Sequence, residues 1–306
     1  MRRAMVALAF TAILSTVLAV RGDGEPKEAT SVNGVGLIDY TDRSACKLGT
    51  WCKYQVTGQS QMGMHDDYTV VVAIAGEERF WGEDCFWVET VTEPRDGSPS
   101  VVAQLMSYDI FSDENPTKNM KYYMRKVCSE VDEEGRPIMV VMRRPPTTLT
   151  TRGEATRNDP MRIDTLAADT TIQAAKGEFK CRHVRINEGI GSSLEQRDST
   201  VFTEVRESRD VYVSKQIPLT RVVIEDIVHQ IGRRTWLVGR SQDAPMNILD
   251  RASGRSLLIG YGNDYKAGVV PERFRKSLAE QDRGAAAAVR TPALSSTKRT
   301  TPGAKR

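Results

Sequence analysis

TTIQAAKGEFKCRHVRINEGIGSSLEQRDSTVFTEVRESRDVYVSKQIPLTRVVIED, residues 170–226, is the stretch that decides the fold. From Val201 the odd positions are Val201, Thr203, Val205, Val211 and Val213, all β-branched. The even positions are Phe202, Glu204, Arg206, Ser208, Asp210, Tyr212 and Ser214, most of them polar. A period of two is the mark of a strand with one face buried and one wet. The stretch therefore reads as two long strands joined in a hairpin, with Pro218 bending the approach to a third. Glu207 and Arg209 interrupt the apolar side, which predicts a bulge or a tip there.

Outward from this hairpin the same signals recur. Gly36–Tyr40 and Gly49–Gly58 read as short first strands. Tyr68–Ala75 (YTVVVAIA) is apolar on both faces and reads as a central strand, turned by Gly76-Glu77-Glu78. Cys85–Val91 returns antiparallel. Val101–Phe111 mixes helical and alternating spacing and stays ambiguous. Met120–Cys128 alternates as a strand, and Ile138–Met142 reads as another, buried one. Thr147–Thr170 is the longest irregular part. Thr235–Val238 and Leu257–Tyr261 supply late strands, and Pro271–Glu280 reads as a short helix. About ten strand signals without βαβ alternation give a mainly β protein. A sheet of that many strands curls. The expected fold is a curved antiparallel sheet, a half-barrel or open barrel, with one or two short helices.

Both ends lie outside this domain. Residues 1–19 have the form of a signal peptide, with Arg2 and Arg3, an apolar run Met5–Leu14 and the small-residue site Val17-Leu18-Ala19. The run is too short for a comfortable membrane span, and no later segment is apolar enough for one. Residues 20–35 form a polar leader, 36–275 the β domain and 276–306 a disordered basic tail. The tail carries seven Lys and Arg against two acids, about +5, whereas the whole chain carries +3. The β domain is thus close to neutral, which argues against nucleic acid as a partner. Export leads to a compartment where disulfides persist, the periplasm or cell envelope. Cys46 and Cys52 are close enough in sequence to pair; Cys85, Cys128 and Cys181 read as small buried hydrophobes.

Catalytic signals are sparse. His183 follows Cys181 by two residues, so both share a strand face, but a nucleophilic thiol needs a base, an orienting group and a lowered pKa. His65 begins a His-Asp-Asp turn and His229 stands alone, and no Cys/His spacing suits zinc. Phosphate-loop, serine-hydrolase, zincin and EF-hand patterns are absent, so no metal and no cofactor is expected.

Ala175–His183 (AKGEFKCRH), followed by Asp210–Ser214 (DVYVS) and Ile217–Thr220 (IPLT), resembles secreted bacterial proteins related to the lipoprotein-carrier (LolA/LolB-like) β half-barrels. The resemblance covers about 50 residues. It implies a curved antiparallel sheet whose concave face, closed by helices or loops, holds acyl chains. This chain differs in its long basic tail and shows no obvious lid helix. The resulting expectation is a non-catalytic exported protein that binds an apolar ligand or lipidated partner on the concave face, through Tyr68, Phe86, Trp87, Met106, Met120, Tyr122, Met124 and Trp236. The alternatives are an envelope interaction protein whose tail meets an anionic surface, and a hydrolase using Cys181 or a carboxylate pair.

Overall fold

The computed structural model describes residues 38–61, 63, 65–114, 116–131, 137–142, 157–196, 199–237 and 245–289. The expected signal peptide and leader, and the residues beyond 289, lie outside these residues. Eleven strands form one sheet: β1 (Trp51–Ser60), β2 (His65–Phe80), β3 (Glu83–Pro94), β4 (Ser100–Ser107), β5 (Met124–Val131), β6 (Pro137–Val141), β7 (Arg157–Ala174), β8 (Gly177–Gln196), β9 (Ser199–Val213), β10 (Val222–Leu237) and β11 (Asn247–Gly262). Two short helices accompany them, α1 (Pro116–Tyr123) and α2 (Leu278–Val289).

The strand order is β6-β5-β4-β3-β2-β1-β11-β10-β9-β8-β7, and every neighbouring pair is antiparallel. Two meanders therefore meet at one seam, β1 against β11. Among the described residues β6 and β7 are the two edges of the sheet and do not pair with each other, so the barrel is not closed. The sheet curls nonetheless. The Phe179 ring on β8 lies 6.2 Å from the Tyr261 ring on β11. On a flat sheet three strand spacings of about 4.8 Å would separate their strands.

The mainly β, antiparallel, unclosed architecture is the one the alternation indicated. Several local readings are corrected. The stretch 170–187 is two strands rather than one, because the chain reverses between Ala174 and Gly177. Residues 157–170, read as irregular, belong to β7. β2 runs through Gly76-Glu77-Glu78, and the reversal comes at Trp81 and Gly82, whose φ of 53° and 81° suit a tight hairpin turn. Ile38–Tyr40 is buried without being a strand. Residues 101–111 resolve into β4 and a 3-10 turn, Tyr108–Ser112. Met120–Tyr123 is helical, and the strand begins only at Met124. Ile138–Val141 is the exposed edge β6, not a buried strand. Residues 271–280 divide between a 3-10 turn, Glu272–Phe274, and the start of α2. α2 extends beyond residue 275, where a disordered tail was expected. It docks on β2 through Leu278 N–H to Glu77 (2.8 Å) and Gln281 Nε2 to the Glu77 carbonyl (2.8 Å). Nothing in the β8–β9–β10 register is bulged at Glu207 or Arg209; both side chains point to the inner face.

Cross-strand pairing defines two faces. Tyr54 lies opposite Val70 and Leu258, and Phe86 opposite Met106. This inner face carries the main core, with Cys52, Tyr54, Val72, Ile74, Phe86, Met106, Val184, Ile186, Val211 and Leu258 all buried. The plug Ile217–Leu219 and the segment Ile38–Cys46 close it from the side. Asp39 N–H donates to the Leu219 carbonyl (2.7 Å), and Arg221 pairs with Asp39 (2.7 Å) and Asp42 (2.8 Å). Each fully buried large apolar side chain here contributes about 1.5–3 kcal/mol. The outer face of β2–β5 carries a second core, Ala75, Cys85, Trp87, Ala103, Leu105 and Cys128, under Val270 and Phe274. Gly76 lies beneath this strap. A Cβ there would run into the Phe274 carbonyl. The outer face of β8–β11 is wet, with bidentate pairs Arg185–Asp210 (2.9 and 2.8 Å) and Arg255–Asp226 (2.6 and 2.9 Å).

Candidate functional site

The inner face of β1–β5 has a cover. After β4 the chain turns through Tyr108–Ser112 into α1, with Pro116 at the first helical position, where its missing N–H costs nothing. Asp113 organises this segment from within. It accepts from Asn119 Nδ2 (3.1 Å to each carboxylate oxygen) and from the Tyr123 hydroxyl (2.6 Å). Burial, with Asp113 beside it, pushes the Tyr123 phenol up to about 12. Towards the sheet the cover presents rings and thioethers. Phe86 meets Tyr108 at 4.8 Å and Phe111 at 5.5 Å between ring centroids, and Tyr40 meets Phe111 at 5.8 Å. The Tyr40 hydroxyl reaches the Met120 sulfur at 3.9 Å. The two ends of the cover are tied to the sheet, by the Tyr108 hydroxyl donating to Glu77 (2.6 Å) and by Arg125 Nη1 on β5 donating to the Tyr122 carbonyl (2.7 Å). The expectation of no lid helix is thus corrected. The lid is only eight residues long, and its alternating Met and Tyr residues disguised it as a strand.

Four of the eight expected lining residues gather here. Phe86 and Met106 are fully buried, and Met120 and Met124 are partly buried against the same core. The other four stand elsewhere. Tyr68 is partly buried against that core, but it lies opposite Pro94, nine residues along β2 from Glu77, the residue opposite Phe86. Trp87 faces the outer core, because neighbours on a strand point to opposite faces, and it donates to Glu78 (3.2 Å). Tyr122 lies on α1 beneath the Lys121 ammonium (5.1 Å to the ring centroid) and outside both cores. Trp236 is at the far end of β10, with Phe202 at 6.5 Å between centroids and Arg234 over both rings.

Further along the inner face lies a buried ion cluster. Arg209 is 2 % exposed and meets three carboxylates: Glu207 (2.9 Å), Glu188 (3.0 Å) and Glu225 (3.7 Å). The Nε contact to Glu207 lies off the N–H axis and is electrostatic rather than a directed hydrogen bond. Arg209 is thus set among three acids in a poorly solvated place. Burial first, then Glu188 and Glu225, push the Glu207 carboxyl up to about 7, against the pull of Arg209. His229 lies directly across from Glu207, and its burial lowers its pKa. This cluster was visible in the sequence only as two charges on the apolar side of β9.

The thiols do not suit nucleophilic chemistry. All five cysteines are buried and free, so the proposed Cys46–Cys52 pairing is corrected. Burial pushes Cys46, Cys52 and Cys85 up to about 12 and Cys181 up to about 11. His183 does not turn to Cys181. It stacks on Tyr212 (4.2 Å between centroids) with Nε2 3.3 Å from Asp210. His65 is exposed at the start of β2. Among the described residues no three His, Cys, Asp or Glu side chains are placed to hold a metal ion. No helix among them is long and apolar enough to cross a membrane. A shallow groove of about 320 Å³ across β8–β10 is bordered by Arg162, Asn187, Glu188, Gly189, Arg206, Glu207, Ser208, Val228 and Gln230. Arg162 and Arg206 already pair with Asp164 (3.0 Å) and Glu204 (2.9 Å).

No family model matches this chain, and no curated protein matches it. Among solved structures it is similar to a "putative lipoprotein" from Parabacteroides distasonis, at 11% identity and a TM-score of 0.29, over 74% of this chain and 99% of that one. It is also similar to a "putative exported protein with YmcC-like fold" from Bacteroides fragilis, at 10% identity and a TM-score of 0.26, over 71% of this chain and 96% of that one. At these TM-scores neither likeness bears on function.

Proposed function

We propose that this chain is an exported, non-catalytic binding protein. It takes an apolar ligand, or the acyl group of a lipidated partner, between the inner face of the sheet and the α1 cover. One observation carries this reading. The Asn119 and Tyr123 side-chain bonds close within the cover on Asp113, whereas aromatic rings meet the sheet. Lifting such a cover from an apolar wall costs mainly dispersion contacts and the Tyr40–Met120 contact, while Tyr108–Glu77 and the Arg125 bond to the Tyr122 carbonyl hold its ends. Phe86, Met106, Met120 and Met124 line the opened space; Tyr68, Trp87, Tyr122 and Trp236 take no part. Methionines suit an adaptable apolar site because their side chains are flexible and polarisable.

The test is native mass spectrometry of full-length protein exported to a periplasm, followed by solvent extraction. One acyl species per chain is the expected result, and Met120→Asp reduces its occupancy. Lipid-free protein that also fails to take up a fluorescent long-chain fatty acid sinks the reading. The basic tail favours a second reading, an envelope interaction protein held by charge. Deleting residues 285–306 then releases the protein from envelope fractions at low salt; unchanged retention refutes it.

A further inference from the structure

We infer that Glu77 couples the α1 cover on the inner face to the C-terminal helix α2, so that release of α2 from Glu77 loosens the cover. The coupling concerns the cover itself and does not rest on what enters beneath it. β1 begins at Trp51, opposite Ala73, so among the described residues β2 beyond Ile74 pairs with β3 on one side only. A register shift between Ile74 and Gly76 re-aims the strand, and Glu77 comes to lie opposite Phe86, beside the uncovered edge. α2 meets that edge. Gln281 Nε2 donates to the Glu77 carbonyl (2.8 Å), and Leu278 N–H donates to the carboxylate oxygen Oε2 (2.8 Å). The other oxygen, Oε1, accepts from the Tyr108 hydroxyl at the start of the cover (2.6 Å). One carboxylate thus holds two elements, one through each oxygen.

The two bonds support each other. Accepting a bond costs a free side chain its rotamer freedom. The first bond fixes Glu77, and the second then meets a carboxylate already in place. α2 also brings the positive end of its dipole to Glu77. Its first turn is set by a reciprocal cap, with Ser277 N–H donating to Glu280 (2.9 Å) and Glu280 N–H to Ser277 Oγ (3.3 Å). When α2 lets go, Glu77 is free to turn to water. Tyr108 is only 9% exposed, and its hydroxyl then loses its acceptor, which is unfavourable for a buried polar group. The Tyr108 ring packs on Phe86 (4.8 Å) and Phe111 (6.1 Å between centroids), so the disturbance falls on the cover's contact with the sheet. The cover gives way at this end, while Arg125 still holds the Tyr122 carbonyl at the other.

Hydrogen exchange of the full chain, read by mass spectrometry over residues 108–123 and 278–283, tests this. Leu278→Pro removes the N–H that reaches Glu77, at the first helical position, where proline is tolerated. Leu278→Ala keeps that N–H and controls for the lost side chain. Tyr108→Phe removes the hydroxyl and keeps the ring. Exchange over 108–123 in Leu278→Pro is expected to exceed that in Leu278→Ala by about 5-fold or more, the low end of ordinary coupling between sites. In a Tyr108→Phe background the proline adds nothing to exchange of the cover, because the link is already cut. The link also runs in reverse: Tyr108→Phe, which leaves α2 untouched, raises exchange over 278–283. No rise over Leu278→Ala, a full effect of the proline in the Tyr108→Phe background, or unchanged exchange over 278–283 in Tyr108→Phe overturns the proposal. Where circular dichroism shows the proline variant unfolded, the Tyr108→Phe arm alone decides.

Discussion

Glu89 is a carboxylate in the middle of β3, fully buried on the outer face, and the C-terminal strap is built around it. One oxygen accepts from Val269 N–H (2.9 Å) and Val270 N–H (2.7 Å). The other accepts from Gly268 N–H (2.8 Å) and the Tyr265 hydroxyl (2.8 Å). Replacing Glu89 with Gln keeps the shape and puts an NH₂ where one acceptor was. With the NH₂ on the side of Tyr265, whose hydroxyl can turn to accept, Gly268 N–H is left facing a donor and the other three bonds go to a neutral group. Hydrogen bonds to a charged group are worth about 1.5–3 kcal/mol and neutral ones about 0.5–1.5, so one lost and three weakened bonds cost about 3–6 kcal/mol. The amide is cheaper to bury than a carboxylate, which offsets part of this. A net loss of about 2–4 kcal/mol is expected, a large share of the roughly 5–15 kcal/mol that holds a domain together. Urea unfolding of Glu89→Gln measures the loss, and hydrogen exchange locates it at residues 265–270. A change below about 1 kcal/mol, with unchanged protection of Gly268–Val270, refutes the view of Glu89 as the anchor of the strap.

Three further outcomes are expected. The Glu207 carboxyl binds its proton more tightly in the fold, at about 7, than in the unfolded chain, at 4.5. Its stabilising share is thus complete below 4.5 and is lost as pH rises to about 7, by roughly 3 kcal/mol. His229 works in the opposite sense below 6.5, because its lowered pKa means the fold resists charging it. The informative quantity is therefore the difference between wild type and Glu207→Gln in urea midpoint at pH 5 and pH 8; a difference that does not change with pH removes the assignment. The five buried thiols, with Cys46, Cys52, Cys85 and Cys181 held near 11–12, give no fast reaction with a disulfide reagent in the native state and five equivalents in denaturant; prompt native labelling of any one contradicts the packing. Gly76→Ala drives a methyl into the Phe274 carbonyl. It lowers the thermal midpoint and frees the strap to proteolysis, whereas an unchanged midpoint shows that the strap has room to shift.

The strands were legible because their signal is local. Alternation along Val201–Val213 and the apolar run Tyr68–Ala75 state which residues share a face, and side-chain direction in a strand follows from the backbone. A sheet with one dry and one wet face, antiparallel and too large to stay flat, followed from that pattern. Met120–Tyr123 was misread because a helix of eight residues holds too few apolar positions to separate a period of 3.6 from one of 2. The candidate site was half legible: apolar and aromatic residues on the right strands were evident, but not that Trp87 lies across the sheet from Phe86's core.

By itself the sequence determined the class of secondary structure, the near-neutral β domain, the basic end and the absence of familiar catalytic spacings. Only the tertiary structure decided what covers each face. Glu89 meets its strap 181 residues away, Tyr54 reaches the Val222 carbonyl across 168, and Arg209 gathers acids from two other strands. A charge on an apolar face looks like a fault until its partners arrive, because the free energy that justifies it comes from groups that local spacing does not connect.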